Sequence, residues 1–295
     1  MSSSYPSDEF EYQLLDTGSF QKLEQFGPHR FCRPAPQALW PKSLPASEWE
    51  KAEGEYKYFK GKDTGGEWKL FTKLPENGWQ IKFQHLSFKI QPTGFGHIGL
   101  FPEQAPNWLW IMDQLKLLNG KEIKVLNVFG YTGASTLAAA SAGAHVTHLD
   151  ASKASVNWAR QNLELSGLGD RPVRWIVEDA MKYMKREHHR GNKYDAIIMD
   201  PPSFGRGPKG EVWQIEDKLS EFMEACRQIL SDSPVFLLFT THSSGFSSLT
   251  LENMLRTYLP STQQGNFDTG EMFIPDNSSG LNLPNGFFCR WQKGR

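Results

Sequence analysis

Cysteine is scarce in this chain. Only Cys32, Cys226 and Cys289 occur in 295 residues, and they stand far apart with no metal-like spacing. That excludes a disulfide scaffold and fits a reducing compartment. A charge excess of one sign is missing as well. Lys plus Arg number 32 against 33 acids, for a net charge of -1. No global field draws in nucleic acid, although net charge leaves a local basic patch open. No uncharged apolar run reaches the roughly 18 residues that a membrane span needs. The opening M-S-S-S-Y-P-S-D-E-F has neither the basic flank nor the apolar core of a secretory signal. The expectation is a cytoplasmic protein with no membrane partner and no metal. Hydrophobic residues make up 39% and charged residues 22%, so a folded core is expected, in one large domain or two smaller ones.

The amino-terminal third is rich in proline and aromatics. Pro28, Pro34, Pro36, Pro41 and Pro45 lie among Phe20, Phe26, Phe31 and Trp40. Prolines at this density prevent a long helix, and residues 1 to about 45 read as an ordered arm on the core. Residues 55 to 90 read as a small antiparallel sheet. Lys57-Tyr58-Phe59 and Trp68-Lys69-Leu70-Phe71 flank a glycine turn, and Trp79–Phe83 and Leu86–Ile90 alternate apolar with polar. Residues 92 to 104 are glycine-dense, with Gly94, Gly96 and Gly99 pointing to unusual backbone angles. A helix is expected over Ala105–Leu118, capped by Asn119-Gly120. The expected division is a 1–100 arm and small β region, then one domain over 101–295.

From residue 122 strand and helix patterns alternate. Short apolar runs at Val125–Val128, His145–Leu149, Val173–Val177, Tyr194–Met199 and Val235–Thr240 alternate with helical stretches. Asn266–Ile274 and Gly286–Trp291 read as closing strands. The expected fold class is α/β: a doubly wound, mainly parallel, seven-stranded sheet.

In such a sheet ligands bind beyond the carboxyl ends of the strands. The first strand is followed by Phe129, Gly130, Tyr131, Thr132 and Gly133. Strand, tight glycine turn and helix open a nucleotide-binding unit, although the spacing G-x-x-G departs from the G-x-G-x-x-G of dinucleotide-binding dehydrogenases. The second strand ends at Asp150, with Ala151 and Ser152 behind it, and the third at Glu178-Asp179-Ala180. The fourth ends at Asp200-Pro201-Pro202-Ser203-Phe204, and the fifth at Thr240-Thr241-His242-Ser243. Asp150 suits the two hydroxyls of a ribose, because a carboxylate accepts two charge-assisted hydrogen bonds. Asp179 suits an exocyclic amine, and Ala180 leaves room for a ring. Taken singly, each acid serves equally well as a helix N-cap. Asp200 stands in a turn stiffened by two prolines.

These stretches resemble class I S-adenosylmethionine-dependent methyltransferases over about residues 92 to 295. The resemblance rests on L-N-V-F-G-Y-T-G, A-R-Q-N at 159–162, Y-D-A-I-I-M-D-P-P-S-F, and Gly270-Glu271 with Leu283-Pro284-Asn285-Gly286. D-P-P-S-F at 200–204 is its most specific part. It is similar to the branch of bacterial 23S ribosomal RNA methyltransferases with a D-P-P-x-F motif. The resemblance implies a Rossmann-like methyltransferase fold, S-adenosyl-L-methionine as cofactor and RNA, ribosomal RNA in particular, as substrate. It places the methionine end of the cofactor on Phe129 to Gly133, and the ribose on Asp150 with Ala151 and Ser152. Asp179 and Ala180 take the adenine. Asp200, Pro201, Pro202 and Phe204 line the gap between sulfonium and acceptor, with Asp200 touching both.

Two departures qualify the picture. Relatives that methylate carbon 5 of cytosine carry a cysteine near the end of the fifth strand, where this chain reads L-L-F-T-T-H-S-S. Direct in-line transfer is therefore expected, with Asp200 orienting or deprotonating the acceptor and His242 as a further candidate base. Residues 1 to 50 are also too short for a separate RNA-binding domain. The glycine- and cation-bearing stretch Ser203–Trp213 reads as a mobile lid over a phosphate-bearing acceptor or as a solvated loop. A protein or small-molecule acceptor, or a cofactor-binding module without catalysis, stays open.

Overall fold

A computed structural model describes residues 5–61, 65–118, 121–243, 245–259 and 264–294. The chain divides into two compact units: Met1–Pro106 with Phe273–Asn285, and Asn107–Met272 with Gly286–Arg295. The expected division has a single boundary at residue 100. Residues 273–285, however, group with the amino-terminal unit and not with the carboxyl-terminal one.

The amino-terminal unit carries a five-stranded sheet of β1 (Tyr12–Gly18), β2 (Gln21–Phe26), β3 (His29–Pro34), β4 (Gly54–Tyr58) and β5 (Gly66–Leu70), in that spatial order. The pairs are antiparallel except β3 with β4, which run parallel. The connection between those two holds the short helix α1 (Ala46–Trp49). β6 (Trp79–Phe83) and β7 (Leu86–Ile90) pair antiparallel as a separate ribbon.

This corrects the reading of residues 1–45 as an arm, since residues 12–34 form a meander. Its turns hide the strand signal because they are very tight. Ser19 and Phe20 both take positive φ, at 50° and 63°. Pro28 sits in the turn before β3, and the other prolines close β3 or follow it, where no ladder N–H is required. Tyr12, Leu14, Leu23, Phe26 and Phe31 are all buried. The expected single small sheet is also two: β4 and β5 belong to the five-stranded sheet. The central residues of their turn, 62–64, lie outside the described residues.

In the carboxyl-terminal unit the helix α2 (Ala105–Lys116) buries Trp108, Ile111, Met112 and Leu115 as its spacing predicts. The expected Asn119-Gly120 cap lies outside the described residues. There follow β8 (Lys124–Val128), α3 (Ala134–Ser141), β9 (His145–Asp150), α4 (Lys153–Leu165), β10 (Val173–Val177), α5 (Ala180–His189) and β11 (Ala196–Met199). Next come β12 (Phe204–Arg206), β13 (Val212–Gln214), α6 (Ile215–Ile229), β14 (Phe236–Thr241), α7 (Ser248–Tyr258), β15 (Gly265–Pro275) and β16 (Asn282–Lys293).

Seven of these strands form one sheet in the order β10-β9-β8-β11-β14-β16-β15. β8, β9, β10, β11 and β14 run parallel, and β16 runs antiparallel to β14. Parallel strands are buried on both faces and so read as continuous apolar runs. Leu126, Val128, Ile197, Met199 and Phe239 pack with Phe222, Met223 and Ile229 of α6. The stretch Ser203–Trp213 departs from its reading as a loop. It holds most of an antiparallel hairpin that pairs Phe204 with Gln214 and Arg206 with Val212. α6 begins at Ile215, where Ile215 and Leu219 open its buried stripe.

Candidate functional site

Strand order reverses between β8 and β11. Val128 and Met199 are paired neighbours at the carboxyl ends of those strands, so the turn after Val128 and the turn after Met199 flank the switch point. That is where an open α/β sheet leaves a crevice.

The turn after β8 is built under strain. Phe129 and Tyr131 take positive φ, 59° and 47°, although neither is glycine. A left-handed non-glycine residue costs about 1–2 kcal/mol, and such strain persists only where the surroundings over-determine it. Here they do. The Gly130 N–H donates to the Leu149 carbonyl at 3.0 Å, and the Gly133 N–H to the Gly130 carbonyl at 2.9 Å. The Tyr131 N–H donates to Asp150 Oδ2 at 2.9 Å. Asn162 of α4 donates its side-chain N–H to the Thr132 carbonyl at 2.8 Å. Gly133 has φ 88°, and a Cβ there would come within 2.8 Å of the Ala159 methyl. Ala159 and Asn162 are the first and last residues of A-R-Q-N. One turn of helix therefore supports the loop from beneath, a role the sequence reading left unassigned.

A second support was missed altogether. His148 on β9 is fully buried, and a Cβ on Gly130 would come within 2.5 Å of its Cε1 and 2.6 Å of its Nδ1. Gly130 is needed because an imidazole fills the space on that side of the chain. Asn127 Nδ2 donates to Thr136 Oγ1 at 2.9 Å, and that oxygen lies 2.9 Å from His148 Nδ1. Burial pulls the His148 pKa down to about 3, so the ring is neutral at physiological pH. The only available signal was a histidine inside an apolar strand, which usually marks a packed residue.

Asp150 closes the same loop. Oδ2 accepts from Tyr131 and Oδ1 accepts from the Ser152 N–H at 2.8 Å. Burial raises its pKa against the lowering effect of those two N–H groups. The residue stays half-buried, and each oxygen retains a lone pair. Ser152 caps α4 by accepting from the Ser155 N–H at 3.2 Å, and Ala151 connects the two. Asp179 caps α5, accepting from the Lys182 N–H at 2.9 Å on Oδ1; Ala180 beside it is buried. The N-cap alternative thus holds for one oxygen of Asp179.

On the other flank Asp200 Oδ1 lies 3.6 Å from His242 Nδ1. The sequence offered the two separately, and the fold brings them together. Pro201 is buried, whereas Pro202 and Phe204 are exposed. The Pro202 carbonyl accepts from the Trp213 indole N–H at 2.6 Å, and Ser203 Oγ lies 2.8 Å from Ser243 Oγ. Trp213 also packs on Phe129 and Phe222, with ring centroids 5.0 and 5.5 Å apart. One side chain therefore touches the strained loop, the double-proline turn and α6. Glu211 pairs with Lys182 and so tethers the hairpin to α5.

All three cysteines are free thiols buried in packed structure. Burial raises the pKa of Cys32 and of Cys289 to about 12 and that of Cys226 further. None offers a thiolate at neutral pH.

The family profile for S-adenosylmethionine-dependent methyltransferases matches residues 43–226. A crystal structure of a SAM-dependent methyltransferase from Agrobacterium tumefaciens is 38% identical. It superposes with a TM-score of 0.89 over 96% of this chain and 90% of that one. Ribosomal RNA large subunit methyltransferase K/L of Shewanella frigidimarina is 32% identical over 161 residues, which is 54% of this chain and 22% of that protein. Ribosomal RNA large subunit methyltransferase I of Klebsiella pneumoniae is 34% identical over 128 residues, 40% of this chain and 29% of that protein. The match thus spans less than a third of either curated relative. Among the described residues, no helix is long and apolar enough to cross a membrane.

Proposed function

We infer that RNA, ribosomal RNA in particular, receives the methyl group in this protein, which belongs to the S-adenosylmethionine-dependent methyltransferase family. S-adenosyl-L-methionine, when bound, supplies a methyl group activated by a sulfonium. The observation that carries the site assignment is the convergence of four features at the carboxyl ends of adjacent strands: the Phe129–Gly133 loop, Asp150, Asp179 and Asp200. The residues fit this cofactor. The loop backbone is held in strained angles from three sides, as a preformed cradle requires. Asp150 is a desolvated carboxylate already aimed by two N–H groups, and two ribose hydroxyls answer its remaining lone pairs. In this reading Phe129, Gly130, Tyr131, Thr132 and Gly133 hold the methionine end. Asp150, Ala151 and Ser152 face the ribose. The second oxygen of Asp179, with Ala180, faces the adenine.

Asp200, Pro201, Pro202 and Phe204 would hold the acceptor. Asp200 accepts a hydrogen bond from an acceptor N–H or O–H and turns its lone pair toward the donor. His242 Nδ1 stands beside that carboxylate, 3.6 Å away. Phe204 is 56% exposed and offers a ring face to a base. Holding donor and acceptor near contact is able to supply up to about 7–11 kcal/mol of the barrier. A covalent route through cysteine is disfavoured, because all three thiols are buried and protonated at neutral pH. The RNA assignment is supported by the names of the two curated relatives and by D-P-P-S-F. The test uses labelled S-adenosylmethionine and ribosomal RNA, stripped of protein, from cells lacking this protein. Label should enter the large-subunit RNA. Label confined to protein or small molecules would overturn the reading.

A further inference from the structure

The glycine-dense connector singled out in the sequence plays no part in the site described above. Its central loop, Thr93–His97, is held by hydrogen bonds on several sides. The Thr93 carbonyl accepts from the Trp68 indole N–H at 2.8 Å and from the Gly96 N–H at 3.0 Å. The Thr93 N–H donates to the His97 carbonyl at 2.8 Å. The Gly96 carbonyl accepts from Arg33 Nη1 at 3.1 Å. Arg33 is itself buried and gripped by Glu24 through contacts of 2.7 and 2.9 Å. Gly96 has φ 79°, and a Cβ there would come within 2.6 Å of the Tyr56 ring. A fixed loop of this kind should have no reason to display a bare apolar ring, yet Phe95 at its tip is 80% exposed.

The neighbouring sheet face continues the pattern. The β4–β5 register pairs Tyr56 with Trp68 and Gly54 with Leu70, so Tyr56, Tyr58, Trp68 and Leu70 share one face. Tyr56 is buried, and its ring centroid lies 5.9 Å from that of Tyr58 and 5.4 Å from that of Trp68. Tyr58 and Leu70 are 41% and 48% exposed. Residues 57–73 carry five lysines against two acids in a chain whose net charge is -1. The described ones, Lys57, Lys60, Lys69 and Lys73, are all exposed. Strand alternation turns Lys57 and Lys69 to the other face of the ribbon, while Lys60 and Lys73 lie just past its strand ends. Exposed rings with lysines at their margin suit single-stranded nucleic acid, since any base stacks on a ring and lysines pair with phosphates.

We propose that Phe95 on its loop and Tyr58 on β4, with Lys60 and Lys73 beyond the strand ends, form a stacking platform for single-stranded RNA. The proposal rests on the RNA reading given above. The test is fluorescence anisotropy of a labelled 12-nucleotide oligouridine with the full chain. Phe95→Ala, Tyr58→Ala and the double variant are compared with Phe95→Trp, and each is checked for unchanged affinity for S-adenosylmethionine. Phe95 makes little of the fold, so its variant should stay folded. Each alanine variant should weaken RNA binding by about five-fold to a hundred-fold, and Phe95→Trp should bind like the parent. Lys60→Ala with Lys73→Ala should flatten the salt dependence. If the parent binds the RNA and the alanine variants bind within two-fold of it, the platform is refuted while the RNA reading stands. If the parent binds neither this RNA nor stripped ribosomal RNA, both fall together. Loss in Phe95→Trp as deep as in Phe95→Ala would point to a shape-matched protein partner and also refute the platform.

Discussion

Gly130 offers a perturbation whose outcome separates two explanations for a glycine in the proposed cofactor loop. One holds that glycine lets a ligand approach the backbone. The other, supported by the geometry, holds that glycine makes room for His148. An added methyl at Gly130 would stand 2.5 and 2.6 Å from Cε1 and Nδ1 of that ring, closer than carbon atoms tolerate. His148 has no easy retreat. Its Nδ1 is tied to Thr136, which is tied to Asn127, and the residue is fully buried. The loop must move instead, and it is already strained at Phe129 and Tyr131. Overpacking of this kind costs about 1–3 kcal/mol. Spent on the geometry of the loop, that corresponds to roughly five-fold to 150-fold in cofactor affinity. Gly130→Ala should therefore weaken S-adenosylmethionine binding by that factor in calorimetry.

The decisive step is the double variant. His148→Ala removes the ring the methyl strikes, so Gly130→Ala with His148→Ala should bind more tightly than Gly130→Ala alone. His148→Asn, smaller but still able to meet Thr136, serves if the alanine variant is too unstable. Contacting residues typically couple by about 0.5–3 kcal/mol, against about 0.3–0.5 kcal/mol of error for independent sites. Additive losses would mean that the glycine serves the ligand and not the histidine. A Gly130→Ala variant binding within two-fold of the parent would remove the clash argument entirely.

Asp150→Ala should lose most cofactor affinity, because it removes the proposed ribose acceptor and strands the N–H groups of Tyr131 and Ser152; affinity within a few-fold of the parent in calorimetry would discredit the assignment. The Asp150 pKa is raised by burial, and hydroxyl donors favour its ionised form. Cofactor affinity should therefore fall as pH drops through that pKa, with proton release on binding detectable in buffers of different ionisation enthalpy. Asp200→Ala should lower turnover far more than cofactor binding, and an unchanged kcat would take it off the catalytic list. Glu24 is fully buried; burial disfavours its charge, but Arg33 and Lys22 outweigh that and hold its pKa at about 2. Its stabilisation should be complete above the ordinary carboxylate range near 4.5 and drain away as pH falls toward about 2. Glu24→Gln should cost about 3–5 kcal/mol at neutral pH by leaving Arg33 unpaired, seen as a lower denaturant midpoint, and should flatten the acid limb of the stability curve.

The contrast between what could and could not be read from the sequence has a physical cause. The central parallel strands were legible because burial on both faces writes them as apolar runs, and Val125, Leu126 and Ile197 carry no other message. The strand-end acids were legible because one sheet edge gathers them from regular spacings. The meander at residues 12–34 was not, because its turn at Ser19 and Phe20 uses left-handed angles at residues that give no warning of them. The hairpin inside Ser203–Trp213 was hidden for a related reason: three-residue strands are too short for alternation to register.

The site divides along the same line. Residues proposed to touch a ligand are constrained by chemistry, and chemistry limits residue type, so Asp150, Asp179 and Asp200 stood out. Residues that hold those residues are constrained only by shape. Asn127, Thr136 and His148 form a hydrogen-bonded column under Gly130, yet any polar group of matching size would satisfy the same partners. Asn162 and Trp213 act through a backbone carbonyl, and no side-chain pattern records which carbonyl it is. A strained loop needs such supports, so the positive φ at Phe129 and Tyr131 implies that they exist without identifying them. Motif reading should recover the contacts of a bound cofactor and systematically omit the second layer. In this chain that layer is where substitution would alter affinity without touching any residue of the motif.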